Sequence, residues 1–260
     1  MNNSTVVAVL ANNKYLRKYF NNFISQLRVN GKYNGEVLII TSYFTPTFLI
    51  QNIRKDKKVR VVRFKNINFS AKTINNLKNL NTGLQPNRYK TKKFQWNKLH
   101  LFDIFFKKWD FVFYLDINMQ IHHDINNILN LKPKNVLYAR SDSYPENKRT
   151  LSSQFDTEHK IYDKLSKKFN LNTTKYFQTC ILYFDTKIIN PNTKKEIVEL
   201  VDKYPLSITN EQGIMNLYFK FQLGVYKELP LKIENKTSYF YWLLENEEVI
   251  MTKQNRIQYK

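Results

Sequence analysis

The sequence has a single cysteine, Cys180, so no disulfide can form within the chain. That fits a reducing compartment. Glycine and proline are scarce, 5 and 7 in 260 residues, which excludes a collagen-like or low-complexity chain. No run approaches the roughly 20 apolar residues of a membrane-spanning helix. The first apolar run, "VVAVLA", lacks the preceding basic residues of a secretory leader and reads as a strand; a cytoplasmic location is the expectation. Acidic residues are half as many as basic ones, 21 against 42, giving a net charge of +21. Such a surface attracts phosphates, anionic lipid headgroups, anionic glycans and nucleic acid. Scattered lysines are also the ordinary dress of a solvated surface.

Core-forming residues are plentiful. Hydrophobic residues make up 42% of the chain and aromatics 15%, with 19 Phe and 17 Tyr. No internal repeat or linker divides the 260 residues, so one mixed α/β domain spanning 1–260 is expected. "TVVAVLA" (5–11), "EVLIIT" (36–41) and "VRVVRF" (59–64) read as buried strands. Between the first two, Leu16, Tyr19, Phe20, Phe23, Ile24 and Leu27 mark one face of a helix that Asn30-Gly31 ends. Thr45-Pro46 starts a second, short helix. Strand and helix alternating in this way predict a mostly parallel sheet with helices on its faces. Residues 66–93 read as a long polar loop with one short helix, a length typical of lids and binding loops. Trp96, Leu99, Phe102 and Phe106 mark a further helix, before "FVFYLD" (111–116) returns as a central strand. Later, "NVLYAR" and "TCILYFD" read as strands, 157–169, 192–203 and 209–220 as helices, "LGVYKEL" as a final strand and "SYFYWLL" as a terminal helix.

Asp116 closes the strand "FVFYLD", and ligands in open α/β sheets sit beyond the carboxyl ends of strands. Asn118 follows in the turn. A carboxylate and an amide oxygen two residues apart reach one hard cation from the same side, and Mn²⁺ or Mg²⁺ would be the ion such oxygens choose. The same two residue types are favoured in any tight turn. The adjacent His122 and His123 point to opposite sides of an extended segment, so at most one faces that turn. Asp124 reads as the cap of a short helix at 125–129.

"FVFYLDINMQIHHDI" resembles the D-x-D segment of the GT-A glycosyltransferases, especially the glycogenin-like enzymes. Four further segments match in order: "VVAVLANNKYLRKYFNNFISQLR", "FQWNKLHLFDIF", "YFQTCILYFDTKII" and "NEQGIMNLYF", so the likeness runs from about residue 5 to 220. The resemblance implies a Rossmann-like GT-A domain with a mixed, mostly parallel central sheet, its nucleotide-binding half at 1–118 and its acceptor half at 119–260. It implies transfer of a sugar from a nucleotide-diphosphate donor, a UDP-sugar, to a hydroxyl of a glycan, protein or small acceptor, and leans toward retention of anomeric configuration. Metal ligation falls to Asp116 and Asn118. Leu10, Ala11, Asn13 and Tyr15 would hold the nucleotide. Lys98, off the apolar stripe of its helix and so free to reach ligand, would steady the donor with Gln212. Gln178, Glu211 and Asp142 would line the sugar and acceptor side, Glu211 or Asp142 serving as base if the enzyme inverts.

The departures are specific. Asn118 replaces the second acid of the motif, Gln178-Thr179-Cys180 stands for its Asn-x-Gly run, and Glu211-Gln212 for its Asp-Gln pair. No histidine follows His159, so the family's C-terminal histidine ligand is missing. Thr209-Asn210-Glu211-Gln212 also fits a capping box, with Gln212 bonding back to the Thr209 backbone. Two alternatives follow: a sugar-nucleotide-binding protein without catalysis, and a basic nucleic-acid-binding protein. None of the recognisable nucleic-acid modules is present in the sequence.

Overall fold

The computed structural model describes residues 4–53, 55–141 and 149–258. The first three strands, β1 (Thr5–Leu10), β2 (Glu36–Ser42) and β3 (Val59–Phe64), are separated by helices α1 (Asn13–Val29) and α2 (Thr47–Ile53). Asn12 caps α1, its side chain accepting from the Tyr15 amide. The segment expected as a loop with one short helix holds two helices, α3 (Ala71–Lys78) and α4 (Arg88–Thr91). Their caps are Ser70 and Asn87, polar residues whose signals are easily lost in an Asn/Lys-rich stretch.

Next comes β4 (Phe111–Leu115), then the two-residue β5 (Gln120–Ile121), α5 (Asn126–Leu129), β6 (Leu137–Ser141), α6 (Tyr162–Phe169), β7 (Phe177–Asp185), α7 (Thr193–Lys203) and α8 (Glu211–Asn216). A π-helical turn, Leu217–Gln222, continues α8. The chain then runs through β8 (Tyr226–Glu228), β9 (Lys232–Ile233), β10 (Lys236–Phe240), β11 (Leu243–Leu244), β12 (Val249–Thr252) and β13 (Ile257–Gln258). The terminal helix expected at "SYFYWLL" is therefore strand: Ser238, Tyr239 and Phe240 lie in β10. Aromatic and β-branched residues suit strands once a partner is available, and β12 supplies it.

Seven strands form one sheet in the order β3-β2-β1-β4-β7-β6-β8. Four of its six pairings are parallel; β7 is antiparallel to both β4 and β6. This is the mixed, mostly parallel α/β domain expected. Its strands are apolar on both faces because both faces are covered. Val6, Ala8 and Leu10 join one core cluster while Val7, Val9 and Ala11 join the other. In β4, Val112 and Tyr114 face the first cluster, and Phe111, Phe113 and Leu115 the second.

The strand order also sets where a ligand belongs. From β1 the chain winds outward through β2 and β3, then returns to place β4 on the other side of β1. This reversal is the topological switch point, where neighbouring loops diverge and leave a crevice. Register pairs Ala8 with Tyr114, which puts Leu10 and Asp116 level at the carboxyl ends. A second sheet, β5-β12-β10-β9, lies beyond that end. In it β12 runs antiparallel to β5, with Thr252 opposite Gln120 and Met251 opposite Ile121.

Candidate active site

Asp116 leaves β4 at a turn in which the Met119 amide bonds to the Asp116 carbonyl at 2.9 Å. Ile117 and Met119 are buried below, while Asp116 and Asn118 reach the other way and remain partly accessible. Two residues back on the same strand face, Tyr114 donates its hydroxyl to Asp116 Oδ1 at 2.7 Å. Asp116 has two ammonium neighbours. Lys253 Nζ is 2.5 Å from Oδ2, and Lys98 Nζ is 3.4 Å from Oδ1. Burial pushes this carboxyl up, but the charges of Lys253 and Lys98 and the bonds from Lys253 and Tyr114 win, holding it well below the usual range and ionised.

Lys98 is buried, not free to reach solvent. The reason is local geometry. Lys93–Phe102 is a 3₁₀ segment rather than an α-helix, and every residue from Trp96 to Phe102 is buried. Apolar residues at 96, 99 and 102 stack on one edge of a three-residue turn, which suits that form. The ammonium is carried inward over the Tyr114 ring, 5.1 Å from its centroid. It donates to the Thr179 carbonyl at 2.9 Å and the Thr179 hydroxyl at 3.1 Å, and pairs with Glu211 Oε1 at 2.8 Å. Desolvation opposes this charge, but Asp116 and Glu211 outweigh it and raise the Lys98 pKa.

Glu211 opens α8 and is fully enclosed. The Thr179 hydroxyl donates to its Oε1 at 3.0 Å, while Oε2 is buried without a hydrogen-bond partner among the described residues. The capping box does not form. Gln212 instead accepts from the Thr179 amide at 3.1 Å and donates to Gln154 Oε1 at 2.8 Å. Asn210 precedes α8 with φ 56° and ψ −125°, and its amide group donates to the carbonyls of Arg88 and Lys92 and to Gln95. α8 is thereby tied to α4 and the 3₁₀ segment. Gln178, at the start of β7, accepts from the Tyr239 hydroxyl at 2.9 Å. Asp142 lies outside the described residues.

Leu10 and Ala11 are buried at the carboxyl end of β1; Asn13 and Tyr15 are half-buried in the first turn of α1. His122 bonds to the Thr252 hydroxyl at 2.9 Å. The Asp124 carboxylate accepts from the Asn126 amide at 2.8 Å, an Asx turn at the head of α5.

Solved structures with the same architecture are glycosyltransferases. A galactosyltransferase, LgtC, in complex with donor and acceptor sugar analogs superposes with a TM-score of 0.57 over 92% of this chain and 76% of that one, at 13% identity. Mouse xyloside xylosyltransferase 1 gives 0.57 over 96% and 97%, at 10% identity. The mannosyltransferase Ktr4p from S. cerevisiae, in complex with GDP, gives 0.55 over 89% and 70%, at 12% identity. This is the GT-A fold. No family model and no curated protein matches the sequence.

Within the GT-A framework the expected Mn²⁺ or Mg²⁺ can be tested against the donor set. One carboxylate and one neutral amide offer a single negative charge, and an ammonium already lies between them: Lys253 Nζ is 2.6 Å from Asn118 Oδ1 as well as 2.5 Å from Asp116 Oδ2. Among the described residues no cluster of three or more His, Cys, Asp or Glu side chains is placed to hold a metal. The residues present fit an ammonium and do not fit a divalent ion. Lys253, Thr179, Tyr114 and Gln154 join the site without having been singled out in the sequence. The signal for Lys253 is the run "VIMT" followed by a lysine.

Proposed function

We propose that this protein is a glycosyltransferase that moves a sugar from a nucleotide-diphosphate donor, a UDP-sugar, to a hydroxyl of a glycan, protein or small acceptor. One observation carries the reading: Asp116, held ionised between two ammonium groups, stands at the carboxyl end of β4 beside the end of β1, at the switch point of a GT-A sheet. The neighbours lend support, LgtC having been captured with donor and acceptor sugar analogs and Ktr4p with GDP. In this reading Leu10, Ala11, Asn13 and Tyr15 receive the nucleotide from the β1 side. Asp116 and Asn118 orient the cation that faces the diphosphate. Gln178 lines the sugar, and Gln212 braces the floor through Thr179 and Gln154. Glu211 acts through Lys98, since its carboxylate is enclosed and its partner lies inside the protein.

The test is a screen of UDP- and GDP-sugars by thermal stabilisation, paired with a donor-hydrolysis and transfer assay. A donor at a hundredfold excess over its dissociation constant should add about 2.7 kcal/mol. Asp116→Ala should abolish hydrolysis and transfer and leave the melting transition near wild type, because Lys98 retains Glu211 and Lys253 is partly solvated. Full activity in that variant, or no stabilisation by any nucleotide sugar, removes the reading. Stabilisation without turnover would instead favour a binding protein. Tight oligonucleotide binding that survives moderate salt would favour a nucleic-acid role.

A further inference from the structure

The ammonium of Lys253 lies where two oxygens converge, on Asp116 Oδ2 and Asn118 Oδ1. Its presence there follows from the second sheet. The antiparallel register sets Thr252 opposite Gln120, so one residue further along β12 the chain passes the turn that bears Asn118. The side chain is 15% exposed, enclosed enough to be positioned and open enough to be reached. An ammonium carries three N–H donors. Two are directed at these oxygens, and the third is available to a phosphate oxygen.

We infer that Lys253 is the resident cation of this site, binding the donor's diphosphate and countering the charge that develops as it departs, in the place where a D-x-D site would hold a divalent ion. The inference rests on the donor reading above. In the transfer, the bond between the sugar's anomeric carbon and the diphosphate oxygen breaks, and its electron pair goes to that oxygen. The acceptor oxygen forms the new bond to the anomeric carbon and releases its proton to the departing diphosphate. Lys253 serves by hydrogen bonding and charge, with no net change of its own.

The charge around the site favours this assignment. Lys98 and Lys253 both neighbour Asp116, and the charge of Lys92, on the rim, also reaches Asp116 and Lys253. The ammonium groups of Lys98 and Lys253, with the more distant charge of Lys92, thus outnumber the two carboxylates, Asp116 and Glu211, before any ligand binds. A diphosphate neutralises that excess; a divalent ion would deepen it. Asn118 in place of a second acid is then no defect. A second carboxylate would fix Lys253 in a closed ion pair, whereas a neutral amide orients the ammonium and leaves its charge for the ligand.

The experiment is titration calorimetry of the full chain with UDP, GDP and uridine, in EDTA and again in excess Mn²⁺. Wild type, Lys253→Met and Lys253→Asp are compared, each checked for an unchanged melting transition. Wild type should bind UDP in EDTA with an affinity that Mn²⁺ does not raise. Lys253→Met should lose about 10- to 100-fold for UDP, as removal of a charged hydrogen-bond donor does, and nothing for uridine. Lys253→Asp, which trades the ammonium for a second carboxylate, should bind UDP weakly in EDTA and regain affinity with Mn²⁺. UDP binding by wild type only with Mn²⁺, or undiminished binding by Lys253→Met in EDTA, overturns the inference and leaves the donor reading standing. Failure of both nucleotides to bind under either condition removes the donor reading itself, and the inference with it.

Discussion

Lys98→Met isolates the strongest electrostatic feature of the interior. The substitution keeps side-chain length and removes the charge. Asp116 would retain Lys253 and the Tyr114 hydroxyl, and its carboxylate is partly solvated, so its loss is modest. Glu211 would lose its 2.8 Å partner while enclosed, keeping only the Thr179 hydroxyl, and the Thr179 carbonyl would lose its donor. Removing one member of a buried ion pair costs about 3–5 kcal/mol. Replacing both members costs far less, so Lys98→Met combined with Glu211→Gln should recover at least about 2 kcal/mol of that deficit. Urea unfolding of the wild type, the two singles and the double measures both quantities. A Lys98→Met deficit below about 1 kcal/mol, or no recovery in the double variant, would refute the reasoning.

Other outcomes follow from the same physics. The ring of His100 is buried against Phe64 with Nε2 donating to the Lys65 carbonyl and Nδ1 unpartnered, and burial, aided by Lys194, pushes its pKa down to about 4. The unfolded chain therefore takes up this proton first, and stability should fall by about 3 kcal/mol as pH drops from about 6.5 to 4. His100→Gln keeps the donor and should flatten that slope in urea titrations; identical acid slopes would contradict the assignment. Asn216 clasps the start of β7, accepting from the Phe177 amide and donating to its carbonyl, both at 2.9 Å. Asn216→Ala leaves two buried backbone groups unpaired and should cost about 3 kcal/mol by urea unfolding, with a loss under about 1 counting against the clasp.

The succession of the first strands along the chain, the burial of β4 on both faces and the acid at its end were legible in the sequence, because each is local: an apolar run, a turn residue, a helix face. So was the placement of Asn13 and Tyr15 at the head of α1, since a helix start follows strand β1 by simple spacing. Lys98 was read in the right position with the wrong surroundings. An α-helical period puts it on a solvent face, whereas the 3₁₀ segment is buried all round. The capping box at Thr209 was sound as local chemistry and lost to longer-range partners, Thr179 and Gln154, that pull Gln212 into the site.

The sequence by itself determined the sheet and set a carboxylate and an amide at the mouth of its central strand. Only the tertiary structure decided what cation those two groups hold. Lys253 lies 137 residues beyond Asp116 and reaches it through the pairing of β12 with β5, a two-residue strand too short to read from any pattern. A periodicity reports which way a side chain points from its own backbone; the identity of its partner depends on how distant segments pack, and that is where the chemistry of this site was fixed.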